Sequence, residues 1–270
     1  MSQRVVIITG ASLGVGAAAA RAFYDQGDNL VLIARGREAL EALRQSFPDQ
    51  DRVLCRSLDV CDREGCAAML VAVRKRFGRI DVLVNNAGYH QRGPVAEVSA
   101  DDMARMVEVN LTAPLVLTRM ALEDLLASRG AVVNVASLAG RTIVPGSATY
   151  SATKWGLRGF TFALAEELRT AGVKVASVSP GPIDTGFIMD DIDEVSDLTF
   201  SQPISTAEEV ADAIVALVDN DTTDLPMPAV SGWLTTLSYL APWLGRKLRP
   251  LLERRGRRTK ERLKAERGQA

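Results

Sequence analysis

The sequence predicts an α/β protein built on a doubly wound parallel sheet of about seven strands, flanked by helices. Three observations predict it. Short β-branched runs alternate with segments of helical periodicity. The first run turns through a glycine-rich loop into a helix. The residues that stand out chemically, Gly10, Ala34-Arg35, Asp59, Asn86, Ser137 and Pro180, all fall at strand C-termini, the edge at which open α/β sheets bind ligands. A length of 270 residues suits one large domain of this kind or two small ones, and one is expected here.

Residues 5–8 (Val-Val-Ile-Ile) form a first strand buried on both faces. It runs into Thr9-Gly10-Ala11-Ser12-Leu13-Gly14-Val15-Gly16 and a helix over 17–26. Glycines there let the backbone approach a ligand, and a helix N-terminus offers free N–H groups to a pyrophosphate. A bare glycine turn is often structural. Strand, glycine turn and helix in succession point to a dinucleotide, with the spacing G-x3-G-x-G. The second strand, 29–34, ends in Ala34-Arg35, where an acidic residue would bind ribose hydroxyls. Arg35 can pair with a 2′-phosphate, which favours NADP(H) over NAD(H); otherwise it opens a solvated loop before a helix over 38–47.

The third strand, 53–57, leads to Asp59-Val60. Asp59 either meets a ligand or signals the start of a helix over 63–77. The fourth, 81–84, leads into Asn85-Asn86-Ala87-Gly88, whose amides suit a turn and whose glycine permits close approach. His90, the only histidine, reads as a solvated loop residue without chemistry. Residues 101–126 read as one long helix, with Asn110 among apolar neighbours and Pro114 marking an irregularity. The fifth strand, 131–136, ends at Ser137. The sixth, 173–178, is followed by Ser179-Pro180-Gly181-Pro182-Ile183-Asp184-Thr185, a stiffened turn able to lie against a ligand.

Between these strands a helix over 148–168 carries Tyr150 and Lys154 on one face. A free phenol ionises near pH 10, about three units too high for neutral acid–base work. A cation beside it favours the phenolate, so that Tyr150 can exchange a proton with a substrate oxygen. Alone, such a pair is more often two neighbours on a solvated helix; the rest of the motif set carries the functional reading.

The net charge of −1 hides an asymmetry. Residues 245–270 hold eleven Lys or Arg against three Glu, about +8, against −9 for the remainder. Cys55, Cys61 and Cys66 fit neither a disulfide framework nor a zinc spacing and read as free thiols of a reducing compartment. The opening apolar run is too short for a signal peptide, and no stretch is long and apolar enough to span a membrane, so a cytoplasmic location is expected. Residues 231–252 combine Trp233, Leu237, Leu240, Trp243, Leu244, Leu248, Leu251 and Leu252 with cations further on. They read either as a helix packed on the body or on a dimer partner, or as a peripheral contact with an anionic membrane. No nucleic-acid recognition motif accompanies the basic run, and nucleic acid is not expected as a partner. Residues 186 to about 205 read as a substrate lid. Asp190, Asp191, Asp193, Glu194 and Asp197 keep it soluble, while Phe187, Ile188, Met189 and Phe200 point to a hydrophobic alcohol or ketone, lipid-like if the tail takes part.

The ordered set Thr9–Gly16, Asp59-Val60, Asn85-Asn86-Ala87-Gly88, Asn110, Ser137, Tyr150-Ser151-Ala152-Thr153-Lys154 and Pro180-Gly181 resembles the short-chain dehydrogenase/reductase family over roughly residues 4–220. The resemblance implies a Rossmann-type fold, a nicotinamide cofactor and reversible carbonyl/alcohol chemistry with no metal. It implies Tyr150 as acid in reduction and base in oxidation, with Lys154 lowering its pKa and binding the nicotinamide ribose. Ser137 would hydrogen-bond the substrate oxygen, and Asn110 would hold a water linking Lys154 to solvent. Gly10, Ser12, Leu13, Gly14, Val15 and Gly16 would hold the cofactor phosphates. Asp59 and Val60 would contact adenine, Asn86, Ala87 and Gly88 would lie along the cofactor, and Pro180 and Gly181 would border it, with Ile183 and Thr185 holding its carboxamide. An NADP(H)-dependent carbonyl reductase or alcohol dehydrogenase is the main reading. An NAD(H)-dependent dehydrogenase is the first alternative. A non-catalytic nucleotide sensor is the second, and the presence of Ser137, Tyr150 and Lys154 counts against it. The chain departs from the family pattern at its end. The seventh-strand region, 225–230, holds two prolines and no glycine-rich terminus follows, which favours a homodimer over the usual tetramer. Residues 1–230 are expected to form the catalytic domain and 231–270 an amphipathic, basic extension.

Overall fold

The computed structural model describes residues 3–190, 192–266 and 268. Seven strands, β1 (Val5–Thr9), β2 (Asn29–Ala34), β3 (Val53–Ser57), β4 (Val82–Asn85), β5 (Ala131–Val135), β6 (Lys174–Pro180) and β7 (Asp224–Met227), form one sheet in the order β3-β2-β1-β4-β5-β6-β7. Every pairing is parallel. The order reverses between β1 and β4, where Val6, Ile7 and Ile8 stand beside Val82, Leu83 and Val84. That switch point is where an open sheet leaves a crevice for a ligand.

Ten α-helices are present among the described residues: α1 (Gly14–Asp25), α2 (Arg37–Gln45), α3 (Arg63–Phe77), α4 (Ala100–Val107), α5 (Ala113–Ser128), α6 (Ala148–Leu168), α7 (Gly186–Met189), α8 (Ala207–Asp219), α9 (Ala229–Leu240) and α10 (Pro242–Glu266). Side chains alternate across the sheet with period two. On one face Val6, Ile8, Leu30, Leu32, Val84 and Val133 pack under α1 and α8, through Ala20, Phe23, Val210 and Ile214. On the other, Val5, Ile7, Val31, Leu83 and Val132 pack under α3, α5 and α6, through Met69, Val73, Leu117, Ala121 and Leu164. Both faces are therefore dry, which explains why the strands read as continuous apolar runs.

Three differences from the sequence reading have physical causes. The segment read as one helix over 101–126 is α4, a π-helical turn at Glu108–Thr112, then α5 with Pro114 in its first turn. The irregularity that Pro114 signals thus precedes it, where its missing N–H costs no hydrogen bond. The cap of α3 is Asp62, whose carboxylate accepts from Gly65 N at 3.0 Å, and not Asp59. The seventh strand stops at Met227. A cis Met227–Pro228 bond turns the chain into α9. The thiols of Cys55, Cys61 and Cys66 are free, each pushed up to about 11, chiefly by burial. Asp191 lies outside the described residues.

A buried charge centre joins the sheet to the helix carrying Tyr150. Asp224, at the start of β7, accepts from Arg158 of α6 at 2.8 Å, from Arg141, from Ser177 Oγ at 2.9 Å and from Ser179 Oγ at 3.1 Å. Burial pushes its pKa up, but the Arg158 hydrogen bond and the nearby cations outweigh this and hold the carboxyl below its usual range. Arg141 also donates to Thr236 Oγ1 of α9 at 3.2 Å.

Candidate active site

The glycine turn after β1 is shaped by close approach. Gly10 has φ +65°, and a Cβ there would stand 2.9 Å from the Ala87 Cα; a Cβ on Gly16 would overlap the Gly10 carbonyl. These two positions let the N-terminus of α1 sit against the ends of β1 and β4. Thr9 Oγ1 fixes the junction by accepting from Asn86 N and Ala87 N, both at 3.0 Å. Asn86 Nδ2 returns to the carbonyls of Thr9 at 2.9 Å and Gly10 at 3.1 Å. The two asparagines divide their tasks. Asn85 Nδ2 points into the core, donating to Asn134 Oδ1 at 2.8 Å and Thr118 Oγ1 at 3.1 Å, and Asn134 passes the chain of amides on to Thr161.

A single cleft of about 1910 Å³ runs along this edge. It gathers Gly10, Ser12, Leu13, Gly14, Val15, Arg35, Asp59, Val60, Asn86, Ala87, Gly88, Ser137, Tyr150, Lys154, Pro180, Gly181, Ile183 and Thr185. Gly16 and Asn110 stand behind its wall. Gly16 contributes the close packing just described. Asn110 is buried, and its amide is spent on Tyr89, accepting from Tyr89 N at 3.0 Å and donating to Tyr89 O at 2.8 Å. Asp59 accepts from Cys61 N at 3.0 Å and pairs with Arg105. Burial pushes its pKa up, yet these contacts outweigh it and leave the carboxyl below its usual range.

Ser137, Tyr150 and Lys154 converge from the end of β5 and the first turns of α6. Ser137 Oγ accepts from Ala139 N at 3.1 Å, which orients its hydroxyl. Lys154 is buried and donates to the Val135 carbonyl at 2.8 Å; burial lowers its pKa to about 8. Its Nζ stands 5.7 Å from the Tyr150 ring centroid. The resemblance implies a depressed Tyr150 pKa; in the protein alone burial dominates and the direction is upward. Burial raises it, opposed by a hydrogen bond with Ser137 and by the charge of Arg92. The phenol is therefore held in its protonated form.

His90, read as solvated, is the residue that sequence reasoning missed. Its ring stacks on Tyr150 with centroids 4.1 Å apart and planes at 17°. Burial, with repulsion from Arg92 and Lys154, pushes its pKa down to about 3. Nothing in the local sequence signals this, because the stack is made across sixty residues of chain. The last two helices also reach the cleft: Leu234, Leu237, Leu244, Leu248 and Leu252 line it together with Phe187 and Leu198.

A model of the short chain dehydrogenase family matches residues 4–195. The chain belongs to this family. A meso-2,3-butanediol dehydrogenase of Serratia marcescens is 35% identical over 224 residues, 81% of this chain and 88% of that protein. Among solved structures, a short-chain dehydrogenase from Streptomyces avermitilis superposes with a TM-score of 0.78 at 31% identity, covering 92% of this chain and 96% of that one. An alcohol dehydrogenase from the archaeon Thermococcus sibiricus, complexed with 5-hydroxy-NADP, gives 0.75 at 28%, covering 85% and 98%. This short-chain dehydrogenase is an oxidoreductase of CH–OH groups with the Rossmann-type fold and a nicotinamide cofactor. Among the described residues no helix is long and apolar enough to cross a membrane.

The single histidine gives a clean test of the stack. Its ring proton resonance, followed by NMR, is expected not to titrate between pH 8 and 5 in the folded chain. In denaturant it should titrate near pH 6.5. Because the unfolded state then binds the extra proton, His90 lowers stability as pH falls through this range towards 3. A folded-state titration near 6.5 would remove His90 from the stack.

Proposed function

We propose that this short-chain dehydrogenase is an NADP(H)-dependent carbonyl reductase, reversible as an alcohol dehydrogenase, acting on a hydrophobic, lipid-like carbonyl or secondary alcohol. The convergence of Ser137, Tyr150 and Lys154 in one cleft carries the reading. The glycine turn at the head of α1 fits a dinucleotide, because Gly10, Ser12, Leu13, Gly14 and Val15 line the cleft at a helix N-terminus. Gly10, Gly16 and the stretch from Ser12 to Val15 would hold the cofactor phosphates. Arg35, at the end of β2 with Arg21 on the same wall, would take a 2′-phosphate. Asp59 and Val60 would border adenine, the stretch from Asn86 to Gly88 and Pro180-Gly181 would flank the cofactor, and Ile183 and Thr185 would hold the carboxamide. Bound NADPH supplies the hydride.

The chain's own residues manage the proton. Tyr150, held protonated, donates to the substrate oxygen as charge develops there. Ser137 donates a hydrogen bond to the same oxygen. Lys154, its pKa lowered to about 8, is largely charged at neutral pH and stabilises the phenolate left behind. Asn110 would serve the proton route through its place behind Gly88, where its Oδ1 lies 3.0 Å from a Cβ added at Gly88. The apolar lid and tail side chains give the substrate end its preference for hydrophobic groups. We extend the proposal to a homodimer in the cytoplasm whose subunits would meet through helices and not by strand pairing, since Pro226 and Pro228 strip donors from the β7 edge; residues 1–230 form the catalytic domain, and the tail adds side chains to its cleft.

The outer face of α9 supports a peripheral membrane contact. This helix is inverted: Ser231, Gly232 and Thr235 face the body, while Val230, Trp233 and Leu240 are 69%, 80% and 73% exposed. Trp243 and Leu251 continue the exposed apolar surface on α10, and Lys247 lies over the Trp243 ring at 5.6 Å. Apolar side chains set beside cations suit an anionic lipid surface.

Fluorescence titration is expected to give tight NADPH binding, weak NADH binding, and a preference reduced roughly 10- to 100-fold by Arg35→Ala. An unchanged preference would move the 2′-phosphate site elsewhere. Tyr150→Phe should cut carbonyl reduction by about 10²–10⁴-fold while NADPH binding persists; near-normal turnover would dismiss Tyr150 as the acid. The full chain should float with phosphatidylglycerol-rich vesicles, lose the interaction on Trp233→Ser with Trp243→Ser, and ignore neutral phosphatidylcholine. Equal indifference to both lipids would end the membrane proposal.

A further inference from the structure

The acidic lid and the basic tail, widely separated in sequence, meet. Helix α10 crosses the loop after α7 at Gly256, the buried residue of that helix. A Cβ added at Gly256 would overlap the Asp197 carbonyl and stand 3.0 Å from Ser201 N. One turn on, Lys260 Nζ donates to two loop carbonyls, Val195 at 2.8 Å and Asp193 at 3.0 Å. Arg257 Nε pairs with Asp197 at 3.0 Å, and Lys264 pairs with Asp193. Leu263 packs onto the loop's own small core of Ile188, Met189, Ile192, Val195 and Phe200.

The loop has little regular structure to satisfy its backbone: α7 covers four residues, and one short 3₁₀ turn spans Thr199–Ser201. Polar backbone groups packed against apolar side chains need partners, and α10 provides them from outside. The inner side of the same loop presents Val195, Leu198 and Thr199 to the cleft, alongside Leu248 and Leu252 of α10. The loop is thus held between the cleft and a helix that touches both.

We propose that Gly256 and Lys260 are positioning residues that hold the loop closed over the substrate end of the cleft, so that affinity for the hydrophobic substrate resides partly in α10. This rests on the carbonyl-reductase reading for its substrate half. Gly256 sets the distance, because a larger residue would lift the helix off the Asp197 carbonyl. Lys260 sets the shape, because one ammonium bridges two carbonyls two residues apart. The cofactor end, built on β1, β2 and β4, lies outside this contact.

The test uses the full chain loaded with NADPH, as wild type, Gly256→Ala, Lys260→Met and Lys260→Arg. Hydrogen exchange is followed over residues 186–203, together with NADPH affinity and, for a carbonyl found by screening, KM and kcat. Gly256→Ala and Lys260→Met should speed loop exchange roughly tenfold or more and raise KM by a similar factor. NADPH affinity should stay within about twofold of wild type, and Lys260→Arg should recover most of the loss. Unchanged exchange and KM would overturn the proposal. So would a loss of NADPH affinity in step with KM, which marks general unfolding. If Lys260→Met alone folds, it decides the matter against Lys260→Arg. If wild type turns over no carbonyl, the function reading falls, while loop exchange in these variants still decides whether α10 holds the loop.

Discussion

Asp224 is the charge on which the arrangement of the catalytic edge depends. A single carboxylate at the last strand receives Arg158, one turn beyond Lys154, and Arg141, four residues beyond Ser137. The side chains are 7%, 13% and 14% exposed, so the charges are mostly removed from water. Removing one partner from such a centre strands the others and costs about 3–5 kcal/mol. The hydroxyls of Ser177 and Ser179 complete its acceptor shell and bind it to β6. The relative position of β5, α6, β6 and β7, and through Thr236 that of α9, is therefore fixed at one point.

The cleft has two ends made in different ways. The end beside the glycine turn is sheet: glycine, threonine and asparagine contacts join β1, β4 and α1. The other end is assembled from an irregular loop, His90 and Arg92, and the last two helices. Arg92 joins these parts by donating to the Phe187 carbonyl at 2.8 Å, with its guanidinium 5.8 Å from the Phe187 ring centroid. Phe187 in turn stands 6.5 Å from the Tyr150 ring. Sequence variation in the half built from loop and tail can alter what enters the cleft, and His90 and Phe187 carry such changes to the Tyr150 ring.

Most of the fold was legible because both determinants are local. Burial on both faces writes itself into continuous apolar runs such as residues 5–8 and 30–33, and the helix over 148–168 matched α6 at both ends. Gly10, Asp59, Asn86, Ser137 and Pro180 were legible as strand-end punctuation, and Tyr150 and Lys154 as a pair on one helix face. What escaped the sequence is what distant packing decides. Asp59 and Asp62 are both plausible caps three residues apart, and only geometry selects Asp62. The Tyr150 pKa depends on desolvation and not on its helical neighbour alone. The His90 stack joins loops far apart in the chain. The acids of the loop read as solvated charge and the tail as a packed helix or a membrane contact, since composition does not reveal that Asp193 and Asp197 face Lys264 and Arg257.

The π-helical turn at Glu108–Thr112 has a consequence for the helices on either side of it. A turn with one residue in excess of the α-helical repeat shifts all that follows by about 100° around the axis. Before it, the rod turns Arg105 towards Asp59 at the cleft; after it, the rod turns Leu117, Ala121 and Leu125 into the sheet. The extra residue acts as a phase offset. It lets one continuous rod serve as cleft wall in its first half and as core layer in its second, with Asn110 at the point of rotation. Shortening the turn by one residue would put the two halves back in step, and no single orientation of the rod could then satisfy both.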